Sequence, residues 1–208
     1  MEIGYHRFSS GKEYVYVMQH GHPVFLRNIM FIVNATDPHK IAVVREWGAD
    51  HNNAVWEPPK GQMEWKEFSV YAGIRPHTKI KMPTLVRYMR AGILREIGEE
   101  AQLHANELKN IRILPVNYME DWPESGIKGA KFMYQYWEAE ISPKIMDKAQ
   151  SRMNLLVTNK DWKGMLPPDM TEKNAIRWWS PANGWGMIRG AFSKKMTQHY
   201  FKALTTLH

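Results

Sequence analysis

The sequence predicts an α+β (or α/β) fold, a sandwich in which helices cover a mixed sheet. Three observations lead there. Short runs rich in β-branched and aromatic residues fill the first third of the chain. Helix-periodic segments follow, around 85–103 and 187–207. The 208 residues, 44% hydrophobic and 24% charged, suit one core with elaborations and would crowd two large domains. A single domain over residues 1–208 is therefore expected.

Taken in order, Tyr14–Val17 and Ile29–Val33 read as strands. Asp37-Pro38-His39 makes a turn, and Lys40–Val44 returns as the second arm of a hairpin. Gly48 to Asn53 is a polar loop. Trp56-Glu57-Pro58-Pro59-Lys60-Gly61 is extended and irregular, because its two prolines cannot donate to a ladder. Pro83 and Thr84 mark a helix start, proline suiting the first turn and threonine the cap. From there Leu85, Val86, Met89, Ile93, Leu94 and Ile97 recur at helical spacing to about Leu103. Strands are expected at Ile111–Val116 and Phe132–Ile141, and a short helix at Met146–Leu156. Pro167-Pro168 breaks the chain before a last strand, Ile176–Trp179. Ile188, Phe192, Met196, Tyr200 and Leu204 step by four, which makes 187–207 an amphipathic helix with Lys194, Lys195 and Lys202 on its solvated face.

Several function classes fall away. The chain has no cysteine, so disulfides and thiolate metal sites are excluded and a reducing compartment is favoured. The best apolar run, Ile29–Val33, is strand-sized, far short of a bilayer span. Met1-Glu2-Ile3-Gly4-Tyr5-His6 lacks the basic start and apolar block of a secretory signal, so the cytoplasm is the expected location. The net charge is +7, from 28 Lys and Arg against 21 Asp and Glu, which suits polyanions such as nucleotides or RNA. Nine tryptophans and nine tyrosines supply rings that stack on bases or fill a core.

The chemistry concentrates in Arg95-Glu96-Ile97-Gly98-Glu99-Glu100. Residues three and four apart on a helix are neighbours, so Glu96, Glu99 and Glu100 share a face. A solvated glutamate face would show basic partners one turn on. Four residues after Glu96, Glu99 and Glu100 stand Glu100, Leu103 and His104, and none is Lys or Arg. Crowded carboxylates without local counter-charge raise one another's pKa or recruit a cation. Oxygen ligands suit a hard ion, Mg²⁺ or Mn²⁺.

In this region the chain resembles the Nudix hydrolases. Their signature is glycine, five residues, Glu, seven residues, then Arg-Glu-aliphatic-any-Glu-Glu-any-Gly-aliphatic. Gly61 is followed after five residues by Glu67, and Arg95, Glu96, Ile97, Glu99, Glu100 and Leu103 match the second half. Pro59-Lys60-Gly61, Ala91 and Trp178-Trp179-Ser180-Pro181 also look like the family. There are two departures. Here 27 residues separate Glu67 from Arg95 instead of seven, with an insertion at about 68–83. Gln102 stands where a glycine is usual, which predicts a different helix exit because glycine supplies the left-handed cap.

The resemblance implies an α/β/α sandwich and hydrolysis of a diphosphate bond in a nucleoside diphosphate-linked substrate, with Mg²⁺ or Mn²⁺ as cofactor. It implies Glu96 and Glu100 as metal ligands, Glu99 as ligand or water-orienting base, and the backbone carbonyl near Gly61 as a further ligand. Glu67 and Arg95 would pair to set loop against helix. A general base from outside the box has four candidates: Glu120, Asp121 and Glu124 in an expected loop, and Glu172. Lys60 and Arg45 are candidate phosphate contacts. Between Phe68 and Arg90 stand Arg75, Lys79, Lys81, Arg87 and Arg90, with His77 and no acid, so this stretch is expected to form either a basic lid for substrate phosphates or a solvated loop. Capped RNA is the favoured substrate, with dinucleoside polyphosphates, nucleoside triphosphates and diphosphoinositol polyphosphates as alternatives. A non-catalytic nucleotide- or RNA-binding module is the alternative of another class.

Overall fold

The computed structural model describes residues 1–49, 55–68, 73–159, 165–166 and 168–207. The expected polar loop at 50–53, residues 69–72 of the insertion and Pro167 lie outside the described residues. The strands of the first part are β1 (Glu2–Arg7), β2 (Glu13–Gln19), β3 (His22–Asn34), β4 (Asp37–Glu46), β5 (Trp56–Glu57), β6 (Lys60–Gln62) and β7 (Thr78–Lys79). Then come α1 (Met82–Ala101), β8 (Lys109–Asp121), β9 (Lys131–Ile141), α2 (Pro143–Thr158), β10 (Lys173–Trp179) and α3 (Gly190–Leu207). The fold is α+β, and no described helix is long and apolar enough to cross a membrane.

The chain divides into two compact units: Met1–Ile29, Lys60–Arg95 and Leu114–Tyr136 form one, and Met30–Pro59, Glu96–Ile113 and Trp137–His208 the other. In the first unit β1 pairs antiparallel with β2, Ile3 facing Val17, and β2 with β3, Tyr16 facing Phe25. β6 pairs with β3, Asn28 facing Gly61. The sequence pattern missed β1, because only Ile3 and Gly4 are buried within it. Gly4 is there for space: a Cβ would fall 2.6 Å from the Tyr16 ring. β3 is longer than expected because residues 24–26 and 28–34 are all buried, which erases the two-residue alternation.

The described end of the insertion is ordered by this unit. Lys79 faces Glu2 and Thr78 faces Ile3, so β7 is an added strand on β1. The His77 N–H donates to the Ile3 carbonyl at 2.7 Å, and the Met1 ammonium donates to the Ile80 carbonyl at 3.0 Å.

In the second unit β10 lies antiparallel to β4, Trp179 facing Ile41, and β5 joins β4 with Val44 facing Glu57. Where register is defined in either unit the pairing is antiparallel, and the parallel contact is a single bridge between Trp56 and Ile188. α2 starts earlier than expected because Pro143 fits its first turn and the Ser142 hydroxyl accepts the Ile145 N–H at 3.4 Å. It buries Met146, Ala149, Met153 and Leu156, and Gln150 Nε2 donates to the Ile176 carbonyl of β10. α3 buries Ser193, Met196, Thr197 and Tyr200, the last stacked on Phe31 with ring centroids 3.8 Å apart. Lys195 and Lys202 are exposed as expected.

Candidate functional site

Helix α1 begins at Met82, so Pro83 is in the first turn, but Thr84 does not cap it. The Lys81 carbonyl instead accepts the N–H groups of Thr84 and Leu85, both at 3.1 Å. The second half of the stretch between Glu67 and Arg95 is therefore the helix itself, lengthened toward its N-terminus. Its inward face carries Leu85, Tyr88, Met89, Gly92 and Ile93.

In the first unit, Arg95 donates to Glu67 Oε1 from Nε at 2.9 Å and from Nη2 at 2.7 Å. The stretched spacing does not prevent the pair. Glu67 is 6% exposed, and its Oε2 is buried with no hydrogen-bond partner. Burial pushes the Glu67 carboxyl above the ordinary range, and Arg95 only partly opposes that. Gly92 makes room for the carboxylate, since a Cβ there would lie 2.9 Å from Oε2 and 2.7 Å from Met63 Sδ. A cavity of about 500 Å³ opens beside the pair, lined by Glu67, Arg87, Tyr88, Ala91, Gly92 and Arg95. Lys60 and Gly61 sit half-exposed in β6, and Arg75, Lys79 and Lys81 are exposed. Glu120 and Asp121 end strand β8 instead of lying in a loop, because β8 runs five residues past Val116. Glu120 accepts the Tyr118 hydroxyl at 2.7 Å, and Asp121 pairs with Lys131 at 3.2 Å. Burial, then Glu120, pushes the Tyr118 phenol up to about 12. Glu124 stands in the following 3-10 turn.

The other glutamates of the helix belong to the second unit. Glu96 and Glu99 are half-buried and Glu100 is 5% exposed. The sequence shows no Lys or Arg three or four residues from Glu100, yet the fold supplies a counter-charge from elsewhere. Lys173 Nζ lies 3.2 Å from Glu100 Oε1 and 2.9 Å from Glu57 Oε1, and all three side chains are nearly inaccessible. Ser193 Oγ donates to Glu57 Oε2 at 3.1 Å, and Arg189 Nη1 stands 3.8 Å from Oε1. Burial pulls the Lys173 ammonium down, but Glu100 and Glu57 outweigh it and hold it above the usual lysine range. Glu57 and Lys173 carry no mark in the sequence, since 115 residues separate them. The one available signal was an acid between Trp56 and two prolines.

The helix exit corrects an expectation. Gln102 itself takes the left-handed conformation, φ 54°, and so replaces the usual glycine without changing the exit. Its Nε2 donates to the Glu99 carbonyl at 3.0 Å, and Arg152 Nη1 donates to the Gln102 carbonyl at 2.9 Å. Arg152 also grips Glu107 through two bonds of 2.6 Å. Those bonds, Arg152 first, hold the Glu107 carboxyl down to about 2. A depressed folded-state pKa stabilises above the ordinary Glu range and is lost as pH falls. The stability advantage of wild type over Glu107→Gln, read by denaturant unfolding, should therefore shrink as pH drops from 4.5 to about 2.

Arg45, on β4, donates to Asn174 Oδ1 at 2.9 Å and lies 5.5 Å from the Trp56 ring, which Arg177 covers at 4.0 Å. The Glu172 carbonyl accepts the Trp47 N–H at 2.7 Å. Among the described residues no three His, Asp or Glu side chains are grouped to hold a metal ion. Glu100 Oε1 already has the Lys173 ammonium as its counter-charge.

No family model and no curated protein matches the sequence. Solved structures do resemble it. One is the NUDIX domain of Shewanella oneidensis NrtR complexed with ADP ribose, at 11% identity over 87% of this chain and 88% of that one, with TM-score 0.47. Another is a NUDIX hydrolase from Nitrosomonas europaea, at 11% identity over 96% and 85%, TM-score 0.45. A third is a C. elegans Ap4A hydrolase binary complex, at 13% identity over 88% and 99%, TM-score 0.44.

Proposed function

We propose that this chain is a Nudix-type hydrolase, one domain over 1–208, that cleaves a diphosphate bond in a nucleoside diphosphate-linked substrate. The observation that carries the reading is the Glu67–Arg95 pair, closed despite 27 intervening residues. In this reading Glu96, Glu99 and Glu100 are the catalytic carboxylates. Glu99, half-buried, is the candidate base, and Mg²⁺ or Mn²⁺ is the cofactor that the resemblance implies, with Glu96, Glu99, Glu100 and the Gly61 carbonyl as ligands. The location proposed is the cytoplasm.

Capped RNA is the proposed substrate, supported by the +7 charge and by Arg75, Lys79 and Lys81 standing exposed along the insertion. Neutralising these three together should raise KM severalfold with kcat nearly unchanged; unaltered steady-state kinetics would remove the insertion from the substrate path. The central test is a phosphate-release screen with Mg²⁺ over capped RNA, dinucleoside polyphosphates and nucleoside triphosphates. Release from capped RNA is the expected result. One observation favours a second reading, a nucleotide- or RNA-binding module: Glu100 already has its cation. Tight RNA binding with no release from any substrate would establish that reading instead.

A further inference from the structure

We infer that Lys173 is a built-in counter-cation, its ammonium occupying between Glu57 and Glu100 the place that a divalent ion would take, so that any such ion held by Glu100 must displace it. The inference rests on the hydrolase reading and concerns the state of that same site. Three features of the structure support it.

The first is contact. One ammonium bridges two carboxylates at 2.9 and 3.2 Å. A lysine is almost never this buried without such partners. The second is aim. The ladder between β10 and β4 is regular from Trp179 to Ala175, which faces Arg45, and then slips so that Lys173 faces Glu46. Without the slip Asn174 would face Glu46, and Lys173 would lie one position further along, on the opposite face of the sheet. A bulge re-aims a side chain in this way, and Asn174 is held in its place by Arg45. The third is the carboxylate pair itself. Glu57 is fixed from its far side by Ser193 and by the β5 pairing to β4, and Glu100 is carried on helix α1, buried to 5% exposure.

A fixed pair of buried acids with an ammonium between them has no electrostatic need of Mg²⁺ to remain folded. Removing the ammonium leaves two buried carboxylates, oxygen donors of the kind hard divalent ions favour, with Arg189 still 3.8 Å from Glu57 Oε1. Lysine and metal ion therefore compete for Glu100.

The test is Mn²⁺ binding to the full chain, followed by electron paramagnetic resonance of free Mn²⁺ and by melting temperature. Lys173→Met should bind Mn²⁺ at least about tenfold more tightly than wild type. Mn²⁺ should raise its melting temperature well beyond the shift in wild type. Adding Glu100→Gln to Lys173→Met should abolish the gain. If Lys173→Met alone does not fold without metal, Lys173→Gln, which removes the charge but keeps both acids and a polar group, carries the same comparison. Equal Mn²⁺ affinity in wild type and the lysine variants would overturn the counter-cation role and leave the hydrolase reading standing. Absence of Mn²⁺ binding in all of them would overturn both.

Discussion

Lys173→Met is expected to lower the unfolding free energy by about 3–5 kcal/mol in metal-free buffer, the scale of removing one partner from a buried ion pair. The reason is not the loss of attraction alone. Glu57 and Glu100 would keep two negative charges inside the protein at about one twentieth exposure each, with Ser193 and the more distant Arg189 still on Glu57. Urea unfolding in the presence of a chelator checks the magnitude. Lys173→Arg, which keeps the charge, should recover part of the loss, so a purely steric account predicts the opposite order. A loss below about 1 kcal/mol would mean that the triad is hydrated in solution.

Glu100→Gln is expected to cut turnover of the substrate found in the screen by about 10²–10⁴-fold, the range for removing a group that acts on the reacting atoms. The fold should survive, because Lys173 keeps its bond of 2.9 Å to Glu57 and the amide is nearly the same size. Circular dichroism and a melting curve close to wild type are the controls. Full activity would refute the place of Glu100 in the catalytic set. Glu67→Gln makes a useful contrast: it spares the helix glutamates but leaves Arg95 without its carboxylate, so its effect should appear in stability as well as in rate.

The local features were legible from the residues. Apolar periods predict helix α1, strand β9 and helix α3, whereas β3 and β4 are announced by runs of β-branched residues; the turn between them falls at Ala35-Thr36, and the Asp37-Pro38-His39 expected to turn opens β4 instead. Strands β1 and β7 carry no such signal, because their stability comes from neighbours: Ile3 is the one fully buried hydrophobic in β1, and β7 holds only Thr78 and Lys79, both exposed. The sequence pattern places Glu120 and Asp121 in a loop for the same reason, since the polar end of β8 forms a strand without an apolar face to announce it.

By itself, the sequence determined that Glu96, Glu99 and Glu100 share one helical face, since residue type and helical spacing are properties of the chain alone; the family resemblance added Arg95 as the partner of Glu67. It also showed that no Lys or Arg stands three or four residues from Glu100 on α1. Tertiary structure decided what does neutralise Glu100. A one-residue slip in the β10–β4 ladder brings Lys173 from far along the chain onto Glu57 and Glu100, and a bulge of that kind follows from how strands pair across space, which no local pattern encodes. It likewise decided that Gln102 turns left-handed in place of a glycine, because bonds from Gln102 to Glu99 and from Arg152 to Gln102 hold it there against its own preference.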